Sequence, residues 1–305
     1  MIAAVRFLPR IFTVEFSVDR VVIRRDFSAR WKAFLDFEYA NNATRAQEEL
    51  NTPMDSTTRF SDRVADYIKY RPGYPVAVFD TLAAEGCLTS QSVVADLGSG
   101  TGILSAEFLA RGNTVYGVEP NAAMRGAAES LLGSNEQFRS VDGSAEASTL
   151  PDASVDLIVA GQAFHWFNIA NARIECLRII RTGGVAVLLW NDREVDTTPF
   201  LAAYEQLLLD KGTDYAAVDH KNVSDEQLVA FFGNERFQVR AFPNEQQFDW
   251  DGLYGRAMSS SYVPQEGDAG HAEFQQGLHA LFKQHAEEGH VTVRYQTRMY
   301  LDGIC

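Results

Sequence analysis

Cysteine is scarce in this chain: three in 305 residues, at Cys87, Cys176 and Cys305. They are odd in number, and no two form a C-x-x-C pair. That excludes a disulfide framework and a cysteine zinc site, and points to a reducing compartment, the cytoplasm. Long apolar runs are missing too. The longest, Val185 to Trp190, falls far short of the ~20 residues that span a bilayer, so no transmembrane helix and no membrane partner are expected. Positive charge is short: 27 Lys and Arg stand against 41 Asp and Glu, a net charge of −14. Such a surface repels a phosphate backbone, which makes nucleic acid a poor partner. It leaves room for a small anion, because a local Arg cluster can outweigh a distant field. Histidines do not cluster either. His279, His285 and His290 share no ligand spacing and no H-E-x-x-H occurs, so no metal is expected.

What is present is core material. Apolar residues make up 46% and charged residues 22%, enough for one large α/β domain or two modest ones. Residues 1–53 stand apart. They carry eight Lys and Arg against seven Asp and Glu, so the excess of acid over base lies wholly beyond them. They show apolar runs, such as Val21 to Ile23, but no evident domain plan. Met54 and the residues after it read like a natural start. Residues 1–53 are therefore read as an extension that is either outside the fold or an integral part of it, with a mitochondrial presequence as a weaker alternative. The folded domain is expected over 54–305.

Beyond Met54 the pattern alternates. Strands are expected at Ser92 to Leu97, Thr114 to Glu119, Gln137 to Val141, Val155 to Ala160 and Val185 to Trp190. Helices are expected at Thr101 to Arg111, Ala122 to Leu132, Ile169 to Arg181 and Pro199 to Leu209. Within the third of these, Ile174, Leu177 and Ile180 form a stripe read as core. Strands separated by single helices imply right-handed βαβ units and a parallel sheet, an α/β fold. The tail changes rhythm: Phe237 to Phe248 extended, Ala272 to His285 helical, Val291 to Tyr300 alternating as a strand. Two late strands flanking an insertion around 250–290 would complete the sheet.

The strongest site signal is Asp96-Leu97-Gly98-Ser99-Gly100-Thr101-Gly102. A strand runs into three glycines and a helix follows. Glycine lets the chain turn sharply and lets a ligand lie against bare backbone, and a helix N-terminus offers unpaired N–H groups. Dinucleotide binders need G-x-G-x-x-G, but here the third position of that pattern is Ile103. Asp96 suits a cationic ligand, an ammonium or sulfonium, better than a pyrophosphate. Glu119 closes the next strand, where a carboxylate can accept from both hydroxyls of a ribose.

These residues resemble motifs I and II of the class I S-adenosylmethionine-dependent methyltransferases. Tyr70-Arg71-Pro72-Gly73-Tyr74-Pro75, Gly143-Ser144-Ala145-Glu146 and Gln162-Ala163-Phe164-His165-Trp166-Phe167 resemble, more narrowly, the trans-aconitate methyltransferase-like group of the type 11 methyltransferases. So do Ser259-Ser260-Ser261-Tyr262 and Tyr295-Gln296-Thr297. Arg181-Thr182-Gly183-Gly184 stands where Lys-Pro-Gly-Gly is usual. The likeness covers about residues 58–303. It implies a Rossmann-like seven-stranded, mostly parallel sheet with helices on both faces and the last strand antiparallel. It also implies S-adenosyl-L-methionine as cofactor, held by Asp96, Gly98, Ser99, Gly100, Thr101, Gly102, Glu119, Ser144, Ala145, Gln162 and Arg71. Ser144 stands where many members carry an adenine-binding Asp, and Asp142 is close by.

The remaining candidates each have a plainer reading. Arg71 either forks onto the methionine carboxylate or is a surface Arg beside a Pro turn. Trp166 is read as a pocket wall. His165 is either a general base or a hydrogen-bonding filler, and a carboxylate acceptor needs no base. Tyr70, Tyr74, Trp166, Arg256 and Tyr262 are the expected pocket for a small-molecule methyl acceptor, a carboxylic acid in one reading. Two other functions stay open: a nicotinamide-dependent oxidoreductase, which Ile103 disfavours, and a non-catalytic S-adenosylmethionine binder.

Overall fold

The computed structural model describes residues 12–17, 20–25, 69–213, 215 and 223–304. The chain divides into two units, Met1–Pro53 and Met54–Cys305. In the first unit, β1 (Phe12–Ser17) and β2 (Arg20–Arg25) pair antiparallel, Phe12 opposite Arg25 and Ser17 opposite Arg20. The sequence reading found no plan there. Both segments are rich in β-branched and aromatic residues, and the sequence between them lacks the Asn-Gly or Asp-Gly that marks a hairpin.

The second unit is built on a seven-stranded sheet: β3 (Val93–Leu97), β4 (Thr114–Val118), β5 (Phe138–Val141), β6 (Val155–Gly161), β7 (Ile180–Arg193), β8 (Gln238–Phe248) and β9 (Val291–Gly303), in the order β5-β4-β3-β6-β7-β9-β8. The first five are parallel to one another, and β9 runs antiparallel between β7 and β8. This is the sheet that the resemblance implied.

Alternation along the strands makes two cores. Ala95, Leu97, Ile158, Ala160, Ala186, Leu188 and Trp190 go to one face, covered by α4 (Ile169–Ile179) and α6 (Asp225–Phe232). Val94, Val115, Leu157, Val159, Val187 and Leu189 go to the other, beneath α1 (Val76–Ala84), α2 (Ile103–Leu109) and α3 (Ala122–Leu132). A third cluster joins α5 (Pro199–Lys211), α7 (Trp250–Met258) and α8 (His271–His285) to Phe248, Val291, Val293 and Tyr295 of the β8–β9 pair. The last two helices are the expected insertion, which the chain makes between its two final strands.

The stripe assigned to α4 was wrong in register. Ile174 is 67% exposed and Leu177 38%; Ile180 is buried in the core as expected, but it belongs to β7. The buried face is Ala172, Glu175, Cys176 and Ile179, at the i, i+3, i+4, i+7 spacing. Glu175 sits there because Arg178 and the Ser148 hydroxyl bond its carboxylate, which holds it at about 2. A buried acid among small residues is invisible to an apolar count. The helix also stops two residues early, since Ile180 pairs with Val155 at the start of β6.

The sheet and all three clusters are assembled from residues after Met54. A protein beginning at Met54 is expected to melt within a few degrees of the full chain and to bind cofactor equally, by thermal scan and calorimetry. An insoluble truncation would make residues 1–53 integral to the fold.

Candidate functional site: a glycine cradle and an arginine–tyrosine cluster

The carboxyl ends of parallel strands are where an open α/β sheet binds its ligands. Here β3 delivers Asp96 and the glycine turn, and β4 delivers Glu119. Gly98, Gly100 and Gly102 all have positive φ, at 69°, 58° and 86°. Two of them have different reasons. A Cβ on Gly102 would strike Leu132 of α3 at 2.5 Å, so Gly102 allows helix packing. A Cβ on Gly100 would meet nothing within 4 Å. Its bare backbone faces open space, which is the requirement for a ligand laid along the turn.

Glu119 is 8% exposed and tied to that turn. Oε2 accepts from the Gly100 N–H at 2.9 Å and Oε1 from the Asn121 N–H at 2.8 Å. Burial raises its pKa, and the two N–H groups and Arg125 pull the other way. A carboxylate has about four acceptor positions, so each oxygen retains one for a further donor. Thr101, next in the turn, is buried, and its hydroxyl has no partner among the described residues. An orphaned buried hydroxyl in a glycine turn is a polar group waiting for a ligand. Asp96 is wholly buried, accepts from Ser105 Oγ at 2.7 Å, and is pushed up to about 7 by burial, opposed by that bond. Ser105, nine residues on, is a partner the sequence reading missed.

Most of the other cofactor candidates follow the neighbouring strands β5 and β6. Ser144 and Ala147 form an isolated bridge after β5, and Ser144 Oγ accepts from the Glu146 N–H at 3.3 Å. Ala145 is buried. Asp142 pairs with Arg125 at 3.1 Å. Gln162 follows β6 with φ at 58°, a strained value for a residue with a side chain. Its side chain donates to Asn191 O at 3.3 Å. His165 and Trp166 lie in the short 3₁₀ turn Phe164–Trp166, their ring centroids 4.9 Å apart.

The Tyr70–Tyr74 segment ties the sheet edge to the insertion. Its carbonyls accept from three side chains: Tyr70 O from Gln246 at 3.3 Å, Gly73 O from Asn191 at 3.1 Å and from Asn244 at 3.0 Å. The Tyr74 hydroxyl lies on Gly161 at the end of β6, and the Tyr70 ring lies on Gly255 of α7. Both glycines leave room for a tyrosine. Arg71 Nη2 donates to Ser259 O at 2.9 Å, so this Arg reaches the end of α7 rather than standing on the surface.

Beyond the cap lies a cluster that the sequence showed only in part. Arg256 of α7 is 6% exposed. Its Nε donates to Tyr295 Oη at 3.2 Å and its Nη1 to Ser260 Oγ at 3.0 Å. Arg193, at the end of β7, is bonded to Glu205 and donates to Tyr215 Oη at 2.9 Å, while its buried Nη1 has no partner among the described residues. Tyr204, pushed up to about 12 by burial, lies under the Arg193 guanidinium at 5.0 Å. Arg256 and Tyr262 were expected at the pocket. Arg193, Tyr204 and Tyr295 were missed, although a strand-end arginine is a readable cue.

Comparison with known proteins gives this geometry its family. A methyltransferase-domain model matches residues 95–188, from β3 into β7. An uncharacterized methyltransferase of Bacillus licheniformis is 31% identical over 163 residues, covering 52% of this chain and 74% of its own length. A methyltransferase-like protein of Schizosaccharomyces pombe is 33% identical over 153 residues, covering 49% of this chain and 57% of its own. The chain belongs to the class I S-adenosylmethionine-dependent methyltransferases. A solved structure of a candidate type II methyltransferase from Anaeromyxobacter dehalogenans shares the fold, with TM-score 0.55, 23% identity, and coverage of 77% of this chain and 98% of that one. The chain spans just over half the length of the S. pombe relative. Family membership replaces the nicotinamide reading, and the family's cofactor, S-adenosylmethionine, fits the open face at Gly100 and the spare acceptor positions of Glu119. Among the described residues no helix is long and apolar enough to cross a membrane.

Proposed function

We propose that this methyltransferase carries a methyl group from S-adenosylmethionine to a small acceptor bearing a carboxylate. The observation that carries the acceptor class is Arg256, a guanidinium almost fully buried whose described partners, Tyr295 and Ser260, are neutral. A charge removed from water costs several kcal/mol unless an opposite charge meets it, and a planar fork meets a carboxylate with two bonds.

In this reading the glycine turn and Thr101 cradle the cofactor's amino-acid end, and Glu119 accepts from its ribose. Ser144, Ala145 and Gln162 border the rest, and Arg71 holds the cap against α7. The bound sulfonium supplies an already activated methyl group. The chain's own task is then orientation, which can supply up to ~7–11 kcal/mol. Tyr74, against Gly161, and Tyr70, against Gly255, close the sheet edge over the transfer. Arg256, Tyr262 and Trp166 hold the acceptor on the far side. A carboxylate acceptor has no proton to remove, so His165 shapes the pocket, and it becomes a base only if the acceptor is a hydroxyl or amine.

Methyl transfer from labelled S-adenosylmethionine, run against small carboxylic acids, phenols and amines, tests the reading. Label is expected in acids, extractable as base-labile esters. Label only in amines or phenols would overturn the acceptor class.

A further inference from the structure

The cap and the buried guanidinium are joined by one chain of hydrogen bonds. Gln246, half-buried on β8, donates from Nε2 to the carbonyl of Tyr70 at 3.3 Å. Its Oε1 accepts from the Tyr295 hydroxyl at 3.0 Å, and that hydroxyl oxygen accepts from Arg256 Nε at 3.2 Å. Gln246 lies opposite Val293 in the β8–β9 pair, so Tyr295 is its diagonal neighbour on the same face, within reach of a long side chain. Tyr295 is 1% exposed and Arg256 6%, so water has little access to the inner end of the chain.

The direction of this relay is forced from its outer end. A backbone carbonyl only accepts, so the Gln246 amide must turn its nitrogen to Tyr70 and its oxygen to Tyr295. An amide oxygen also only accepts, so the phenol gives its one proton to Gln246 and keeps its lone pairs for the Arg256 N–H. The circuit closes through packing. The Tyr70 ring lies on Gly255, the residue before Arg256, where a Cβ would collide with it. Asn244, two residues before Gln246 on the same strand, holds a second cap carbonyl, that of Gly73, at 3.0 Å. A guanidinium meets a carboxylate either across its two Nη groups or across Nε and one Nη. Tyr295 occupies Nε and Ser260 takes one Nη1 proton, whereas Nη2 has no partner among the described residues. The Nη end is the one left for a ligand.

We propose that Gln246 and Tyr295 are positioning residues of the acceptor site, which aim the Nη end of Arg256 at the acceptor and tie that aim to the seating of the Tyr70–Tyr74 cap. This rests on the carboxylate reading of the acceptor. Neither residue has to touch the acceptor. Their effect passes through Arg256, so it shows in acceptor kinetics, spares the cofactor and disappears once Arg256 is removed.

Proton exchange at the Arg256 Nε–H reads the relay, by nuclear magnetic resonance of the ligand-free full chain, with the signal assigned by its loss in Arg256→Lys. Slow exchange is expected in the wild type. Exchange about tenfold faster is expected in Tyr295→Phe, which removes the acceptor of that bond, and in Gln246→Leu, which does not touch the guanidinium. Fast exchange in the wild type, or unchanged exchange in Gln246→Leu, overturns the proposal. Methyl-transfer kinetics with the best carboxylic acid of the labelled-transfer panel read its use. Gln246→Leu is expected to raise the acceptor KM roughly tenfold, the size of one hydrogen bond to a charged group, with S-adenosylhomocysteine affinity unchanged. In an Arg256→Ala background the same substitution is expected to change acceptor kcat/KM by no more than about twofold. Equal losses in the two backgrounds would make Gln246 a merely structural residue and overturn the proposal, as would an acceptor KM that Gln246→Leu does not move. Tyr295→Phe, which keeps the ring in the core, goes through the same cycle and overturns the proposal on the same outcomes if Gln246→Leu does not fold. The two readings fail separately: label found only in amines or phenols would sink the acceptor class, whereas the exchange measurement needs no acceptor.

Discussion

Glu119→Ala is expected to weaken S-adenosylmethionine by roughly 30- to 1000-fold, about 2–4 kcal/mol, while the protein stays folded. The magnitude comes from two lost hydrogen bonds to a charged acceptor, those from the ribose hydroxyls. A second contribution has the same sign. Removing the carboxylate frees the Gly100 and Asn121 N–H groups that it now holds at 2.9 and 2.8 Å, and the turn loses the bond that fixes its open face. Glu119→Gln separates the two. It keeps one accepting oxygen and therefore falls between wild type and Ala. Calorimetric titration checks both variants, and an unchanged affinity in Glu119→Ala would remove Glu119 from the cofactor site.

Arg256→Ala is expected to lower kcat/KM for the acceptor by a similar 30- to 1000-fold, about 2–4 kcal/mol for a charge-assisted pair, and to leave S-adenosylmethionine affinity intact. Arg256 sits on the β8–β9 insertion, whereas Glu119 and the glycine turn sit at the ends of β4 and β3, so the two losses should be separable. Arg256→Lys keeps the charge but not the fork, and should recover only part of the rate. Steady-state kinetics with an acid identified in the labelled-transfer panel checks this, with a thermal scan to show that the fold survives. Weakened cofactor binding with acceptor kinetics spared would place Arg256 on the cofactor side.

The glycine turn with its two carboxylates was legible in the sequence, and the arginine–tyrosine cluster only partly so. Asp96, the three glycines and Glu119 lie within one βαβ unit, where spacing along the chain fixes spacing in space. Even the departure from the dinucleotide pattern, Ile103, could be read there. That cluster draws Arg193, Tyr204, Arg256 and Tyr295 from β7, α5, α7 and β9. No local spacing joins them, and each alone reads as an ordinary charged or aromatic residue. The strands were found because their cores are β-branched runs. The Ile174 and Leu177 stripe failed because α4 buries small residues and a paired acid instead. Three helices went unread, α1, α6 and α7, the last two although their signals were present: α6 carries a Ser224–Gln227 capping box and α7 an Asp249 cap. Both are short and sit between segments with stronger periodicity.

The central claim is that the turn from Gly98 to Gly102, with Glu119, holds S-adenosylmethionine. Isothermal titration of the full chain with S-adenosylhomocysteine, and separately with NAD, tests it most directly. Saturable binding of S-adenosylhomocysteine, with no heat from NAD, is the result predicted. Saturable NAD binding with no response to S-adenosylhomocysteine would contradict the account.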